Sequence, residues 1–279
     1  SIMTPGPVAG LGSFHDRVCS RPWAELLAPA IAQAREGVVV TPQARQVWVA
    51  YSQPGTPDGL TRLRHSAESA RIYLHPDNRF FEPGEVMHLD DYGQTLQRLG
   101  WRDFYTGGLA EEIIADFEAH DAFVTREDLA GYTVDAGPPV EGSYRGLAVR
   151  SNQPPGGGVT VIQILQLLDQ FDLSAMRHGS RDHIDLLARA MAAAHADRNR
   201  WLGDPRFAEV PVEWLLSPQR AREWAERIRA GEWPGDGTEE GAGDTTHLTT
   251  WDAAGNVAAL TQTLGTSAGV VTPRLGFNY

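Results

Sequence analysis

The sequence predicts an α+β protein: a long, mainly helical body followed by a β-hairpin near its C-terminal end. Apolar residues recur at helical spacing in several stretches between Pro22 and Leu202. Strand-forming residues gather in short stretches, of which Asp244–Leu264, with turn residues at its middle, is the longest. A composition of 42% hydrophobic and 22% charged residues over 279 positions is enough for one large core or two modest ones.

Thr4–Gly10 reads as a tight Pro/Gly turn leading into a helix, its glycines structural. Pro22–Glu36 follows as a helix through Leu26, Leu27, Ala30, Ile31 and Ala34, stopped by Gly37, and Val38–Val40 is a short buried piece. Tyr51–Glu85, rich in Pro, Gly, Arg and Ser, reads as surface helix and loop. His65, His75 and His88 are scattered through and just beyond it without metal-ligand spacing, as solvated side chains. Leu89–Leu99 and Thr106–Ala119 are amphipathic helices, the second through Leu109, Ile113, Ile114 and Phe117. Thr125 is placed to cap a helical turn that has Asp128 three residues on.

Val140–Val149 reads as two short strands joined around Gly142–Gly146. A loop ending in Gly156-Gly157-Gly158 then enters Val159–Phe171, a helix apolar on most sides and therefore buried. Such a loop can bind an anion at the helix N-terminus. It has neither the Lys-Ser/Thr of a phosphate loop nor dinucleotide spacing, and close backbone packing accounts for it better. Ser180–Leu202 is expected as a helix capped by Ser180, with Ile184, Leu187, Ala188, Met191 and His195 lining one face. Asp197 and Arg198, charged residues on a packed helix, offer a metal or substrate site or a structural ion pair, and we read the ion pair. Arg229–Thr246 is loop-like.

The hairpin comes next. Thr249–Trp251 and Val257–Leu260 are β-prone, and Asp252–Asn256 supplies the turn. Centring that turn on Ala254 sets Thr245 opposite Thr263, with Cβ atoms roughly 4.5–5.5 Å apart and two hydroxyls on one face. A threonine becomes a nucleophile when a base sits beside it, and the α-amino group of the same residue serves once that residue is a chain terminus. That amine has a pKa of about 7.7–8.0, so part of it is neutral near pH 7. The chemistry then requires cleavage between Asp244 and Thr245. The same spacing also suits an ordinary Thr-rich edge hairpin, and on spacing alone that is the better reading.

Charge excludes some classes. Against 36 acidic residues stand 24 basic ones, all arginine, for a net charge of −12, which disfavours nucleic acid and anionic membranes as partners. The absence of lysine removes any lysine nucleophile or Schiff base. Cys19, the only cysteine, allows no intrachain disulfide. No apolar run reaches the roughly 20 residues of a spanning helix, and the N-terminal residues do not read as a signal peptide. A start inside a Pro/Gly stretch leads us to expect further chain before Ser1.

Asp244–Leu264, with its Asp-Thr-Thr-His-Leu-Thr-Thr-Trp-Asp opening, resembles the processing site of the γ-glutamyltranspeptidase family of N-terminal-nucleophile hydrolases. Pro5-Gly6 with Ala9-Gly10, and the Ala-Asp-Arg…Leu-Gly-Asp-Pro run of Ala196–Pro205, resemble the same family, so the likeness extends from Pro5 to Tyr279. It implies a four-layer αββα sandwich, incomplete in this chain. Residues 1–244 would be the C-terminal, largely helical part of a large subunit and residues 245–279 the start of a small subunit, the two pairing after cleavage at Asp244–Thr245. Thr245 would be the catalytic nucleophile and Thr263 the threonine that hydrogen-bonds it.

The implied partners are a γ-glutamyl amide such as glutathione and an acceptor amine, without cofactor or metal, in an extracytoplasmic compartment. The sequence departs from the family twice. Gly156 stands among positions usually held by serines, and Gly265 replaces an asparagine that would contact substrate, so substrate binding at Gly265 is in question. Further substrate contacts and the oxyanion hole are implied upstream of Ser1 and downstream of Tyr279. An acylase with a different acyl group, like the cephalosporin acylases, and a non-processing scaffold relative are the alternatives.

Overall fold

The computed structural model describes residues 4–50, 57–234, 244–265 and 271–276; of Ala50, Asp244, Thr245, Leu264 and Gly265 it describes the backbone alone. Two compact units divide the chain: residues 1–134 with 241–279, and residues 135–240 inserted between them. That division by packing differs in kind from a covalent boundary at Asp244–Thr245.

The first unit opens with α1 (Pro7–Val18), α2 (Trp23–Glu36), β1 (Val38–Val39), α3 (Pro42–Ala50), α4 (Gly59–His65) and α5 (Ala67–Tyr73). It continues with β2 (Val86–Met87), α6 (Asp90–Arg98), α7 (Asp103–Thr106), α8 (Gly108–Ala119) and α9 (Arg126–Ala130). Gly37 ends α2 in the left-handed region at φ 99, with its N–H on the Gln33 carbonyl, as its position after the last apolar residue predicts. Beyond it, β1 pairs with β2, and of the valines expected to be buried there Val40 is buried whereas Val39 is 57% exposed. Thr125 caps α9 in a reciprocal box with Asp128, the arrangement read from their spacing.

The core of this unit gathers Phe104, Tyr105, Leu109, Ile113, Ile114, Phe117 and Leu129 around α8. Tyr105 places its hydroxyl between two backbone groups at the start of α1, accepting from Ala9 N–H (3.0 Å) and donating to the Pro5 carbonyl (2.7 Å). Burial pushes its pKa up to about 12, so it remains a donor at any ordinary pH. The segment 271–276 reaches this core through Leu275. Leu275 is fully buried in it, and the Thr95 hydroxyl donates to the Leu275 carbonyl at 2.8 Å.

The second unit runs β3 (Val140–Tyr144), β4 (Leu147–Ser151), α10 (Gly158–Leu168), a 3-10 turn at Leu173–Ala175, α11 (Arg181–Trp201), α12 (Val212–Leu215) and α13 (Pro218–Arg229). The β3–β4 turn is narrower than Gly142–Gly146. Only Arg145 and Gly146 lie outside the strands, both at positive φ, the two-residue turn whose twist suits a hairpin. Gly142 sits within β3, where a Cβ would come within 2.3 Å of Ile162 on α10. The chain closes with β5 (Asp244–Trp251) and β6 (Val257–Gly265), back in the first unit.

The face of α11 is corrected by the structure. Ser180 caps the helix as expected, accepting from His183 N–H, but Leu186, Ala190, Ala193, Ala194 and Asp197 are the buried positions. Ile184 is 57% exposed and Met191 50% exposed. Apolar residues encircle this alanine-rich helix, so more than one stripe has helical period. Close packing against α10 selects the stripe with the smallest side chains.

Candidate functional site

The hairpin β5–β6 carries the predicted nucleophile. At its turn the Gly255 N–H donates to the Asp252 carbonyl at 3.1 Å, and Gly255 takes φ 85, which suits glycine. The Asp252 carboxylate accepts from the Asn256 side chain (2.8 Å) and the Asn256 N–H (2.9 Å), and these bonds hold its pKa below the ordinary carboxylate range. The register is the one the turn predicts. Pairing steps evenly from Trp251–Val257 through Leu248–Leu260 to Thr245–Thr263.

Alternation places Thr245, His247 and Thr249 of β5 on one face with Thr261 and Thr263 of β6. Where side chains are described on this face they are solvent-exposed. His247 ties the face together, its Nδ1 hydrogen-bonded to Thr261 Oγ1 at 2.7 Å and its Nε2 to Thr249 Oγ1 at 3.0 Å. A neutral imidazole donates through one nitrogen and accepts through the other, so one threonine hydroxyl accepts and the other donates. The one pointer to His247 in the sequence is its odd-numbered parity with Thr245. The side chains of Asp244 and Thr245 lie outside the described residues, and the predicted roles of Asp244, Thr245 and Gly265 rest on backbone position. There, Gly265 pairs with Asp244.

The remaining candidates resolve into structure. His75 bonds Asp77 at 3.0 Å, and His88 bonds the Arg35 carbonyl at 3.1 Å. No group of three or more His, Cys, Asp or Glu side chains suited to a metal ion occurs among the described residues. The glycine loop is filled by Asn152: a Cβ at Gly156 would fall 1.6 Å from its Nδ2, and one at Gly158 would fall 2.2 Å from its carbonyl oxygen. Cys19 is exposed. Among the described residues no helix is long and apolar enough to cross a membrane.

Asp197 does form an ion pair, but with Arg220 of α13 and not with Arg198, which is exposed. Adjacent residues on a helix point about 100° apart, so Asp197 and Arg198 cannot share one buried pocket. The Asp197 carboxylate, 2% exposed, accepts from Arg220 Nε (2.9 Å), Trp224 Nε1 (3.0 Å) and Gln163 Nε2 (2.9 Å). Burial works against the charge of Arg220, and its bonds to Asp197 and Glu223 outweigh that, so its pKa lies above the ordinary guanidinium value.

A threonine-bearing hairpin, paired in the register its turn predicts, thus follows a largely helical body. The model of the Gamma-glutamyltranspeptidase family matches residues 1–279, and the chain belongs to that family of enzymes. It is 30% identical over 277 residues to the glutathione hydrolase proenzyme of Escherichia coli, covering 95% of this chain and 46% of that protein. To an acylase proenzyme of a Pseudomonas species it is 32% identical, over 99% of this chain and 50% of the relative. The chain thus spans about half the length of the curated relatives it matches.

Among solved structures, cephalosporin acylase from Bacillus halodurans superposes with a TM-score of 0.81 at 28% identity, covering 98% of this chain and 50% of that one. Helicobacter pylori γ-glutamyltranspeptidase superposes with a TM-score of 0.73 at 31% identity, over 80% of this chain and 63% of that one. The fold class is therefore that of these enzymes, mixed helix and strand. Among the described residues this chain contributes three two-stranded antiparallel sheets.

Proposed function

We propose that the whole protein is a self-processing γ-glutamyltransferase and hydrolase with Thr245 as its nucleophile. The observation that carries the reading is the pairing of Thr245 with Thr263 across β5–β6. In the first stage, Thr245 Oγ attacks the Asp244 carbonyl, the acyl group moves from nitrogen to oxygen, and water hydrolyses the ester to free the Thr245 amine. In the second, that amine takes the hydroxyl proton as Thr245 attacks a γ-glutamyl amide such as glutathione; water or an acceptor amine then resolves the acyl-enzyme. Thr263 orients the nucleophile.

Residues 1–244 then end the large subunit and residues 245–279 begin the small one, the two staying paired. The whole would form the four-layer αββα sandwich with β5 as a central strand, in an extracytoplasmic compartment. The proenzyme names of the relatives support processing.

Gly265, in place of an asparagine expected to bind substrate, favours a second reading: an acylase using the same nucleophile on another acyl group. The acylase relatives support that possibility. Hydrolysis of a γ-glutamyl anilide and of a glutaryl anilide, which lacks only the α-amino group, separates the two. A γ-glutamyl enzyme is expected to prefer the first by about a hundredfold or more in kcat/KM, because a site built for a charged group rejects the analogue lacking it. A preference for the glutaryl anilide would establish the acylase instead.

His247→Ala removes the imidazole bridge on the nucleophile's face. Because His247 is exposed, global stability is expected to change by no more than about 0.5 kcal/mol. Appearance of the two processed pieces should nevertheless slow several-fold, with His247→Asn recovering part of the rate. Gel time courses beside thermal melts check both.

A further inference from the structure

The β5–β6 ladder is regular from Trp251–Val257 to Thr245–Thr263, and then it breaks. Asp244 pairs with Gly265, not with Leu264 as the regular register requires, so Leu264 is an extra residue in β6. The break falls between Asp244 and Thr245, at the one peptide bond that the proposed processing must cut. We infer that Leu264 is a positioning residue for cleavage: its insertion into β6 releases the Asp244–Thr245 peptide from the sheet ladder so that Thr245 can attack it. The inference rests on the cleavage reading above.

A bond forms between Thr245 Oγ and the Asp244 carbonyl carbon, that carbon becomes tetrahedral, and the Asp244–Thr245 C–N bond breaks. The hydroxyl proton goes to the departing Thr245 amine; water then splits the ester, returning the hydroxyl and leaving a carboxylate on Asp244. The attack and the breaking of the C–N bond require the peptide to leave planarity. Even a ω departure of about 12° costs about 1 kcal/mol, and a regular ladder, by fixing N–H and C=O groups in the sheet plane, adds to that resistance. A bulge ends the regular exchange of bonds, bends its strand and raises the local twist, and bulges concentrate beside active sites. Here it keeps Thr245 in register with Thr263 and sets the irregularity of the ladder at the preceding peptide. Gly265 resumes the pairing at Asp244.

The test deletes Leu264 from the full-length protein, which would let the ladder run evenly through Asp244, and compares Leu264→Ala, which keeps the residue count. Cleavage is followed by intact mass. Parent and Leu264→Ala are expected to cleave within about threefold of each other, and the deletion about tenfold or more slowly, equivalent to at least about 1.4 kcal/mol of barrier. A second form carries a protease site ending at position 244, so that an added protease exposes Thr245. Cut in that way, the deletion should hydrolyse whichever anilide the parent hydrolyses within about threefold of the identically cut parent, because release from the ladder is needed only before cleavage.

Equal cleavage of parent and deletion would overturn the inference and leave the processing reading intact. Inactivity of the deletion even after external cutting would also overturn it, by assigning the residue to the substrate site. A parent that never cleaves would overturn both.

Discussion

Thr245→Ala in the full-length protein is expected to remain one polypeptide and to lose anilide hydrolysis by about four orders of magnitude or more in kcat, the scale seen when a covalent nucleophile is removed. The loss has two origins. Without Oγ there is no attack on the Asp244 carbonyl, so no amine is released at residue 245; without that amine and hydroxyl no acyl-enzyme forms. Thr245→Ser separates them, because it retains a hydroxyl and, after cleavage, an amine. It should process and turn over slowly, whereas thermal stability stays close to that of the parent in both variants. Uncleaved but fully active Thr245→Ala protein would remove residue 245 from the chemistry.

The largest expected effect on stability lies far along the chain from the hairpin. Asp197→Ala leaves the Arg220 guanidinium, whose side chain is 14% exposed, without its buried counter-charge, and Gln163 and Trp224 without their acceptor. Breaking a buried pair from one side costs about 3–5 kcal/mol. At roughly 2–4 °C per kcal/mol, the unfolding midpoint falls by about 10 °C, measurable by calorimetry. Replacing both partners, as in Asp197→Leu with Arg220→Met, should recover much of the loss, since the attraction in such a pair is largely offset by the cost of desolvating it. A fall no larger than for an exposed charge would show that the network contributes little. Arg220 also bonds Glu223 at 3.0 Å, which tempers the effect of Asp197→Ala without replacing the buried acceptor.

Local chemistry was legible wherever a few neighbouring residues decide the outcome. The Asp252–Asn256 turn determines the register of β5–β6, and with it the meeting of Thr245 and Thr263, because all the information lies within the hairpin. The Thr125 and Ser180 caps were legible for the same reason. Partners distant in sequence were not. Nothing near Asp197 announces Arg220, and the alanine-rich α11 offers several stripes, of which the buried one is chosen by its neighbours. Nor does the hairpin reveal its own irregularity, because turn geometry predicts an even ladder as far as Asp244. The break at Leu264 is visible only in the backbone. Composition alone suggests a turn at Gly142, whereas it is a mid-strand site kept small by Ile162.

The most direct test of the account is the intact mass of the purified full-length protein after incubation at neutral pH, with the N-terminal residue of each product determined. Two polypeptides are expected, the smaller beginning Thr245-Thr246-His247, formed without added protease and absent from Thr245→Ala. A single unbroken chain, or a cut at any other bond, would contradict it and leave Thr245 as an ordinary residue of an exposed hairpin.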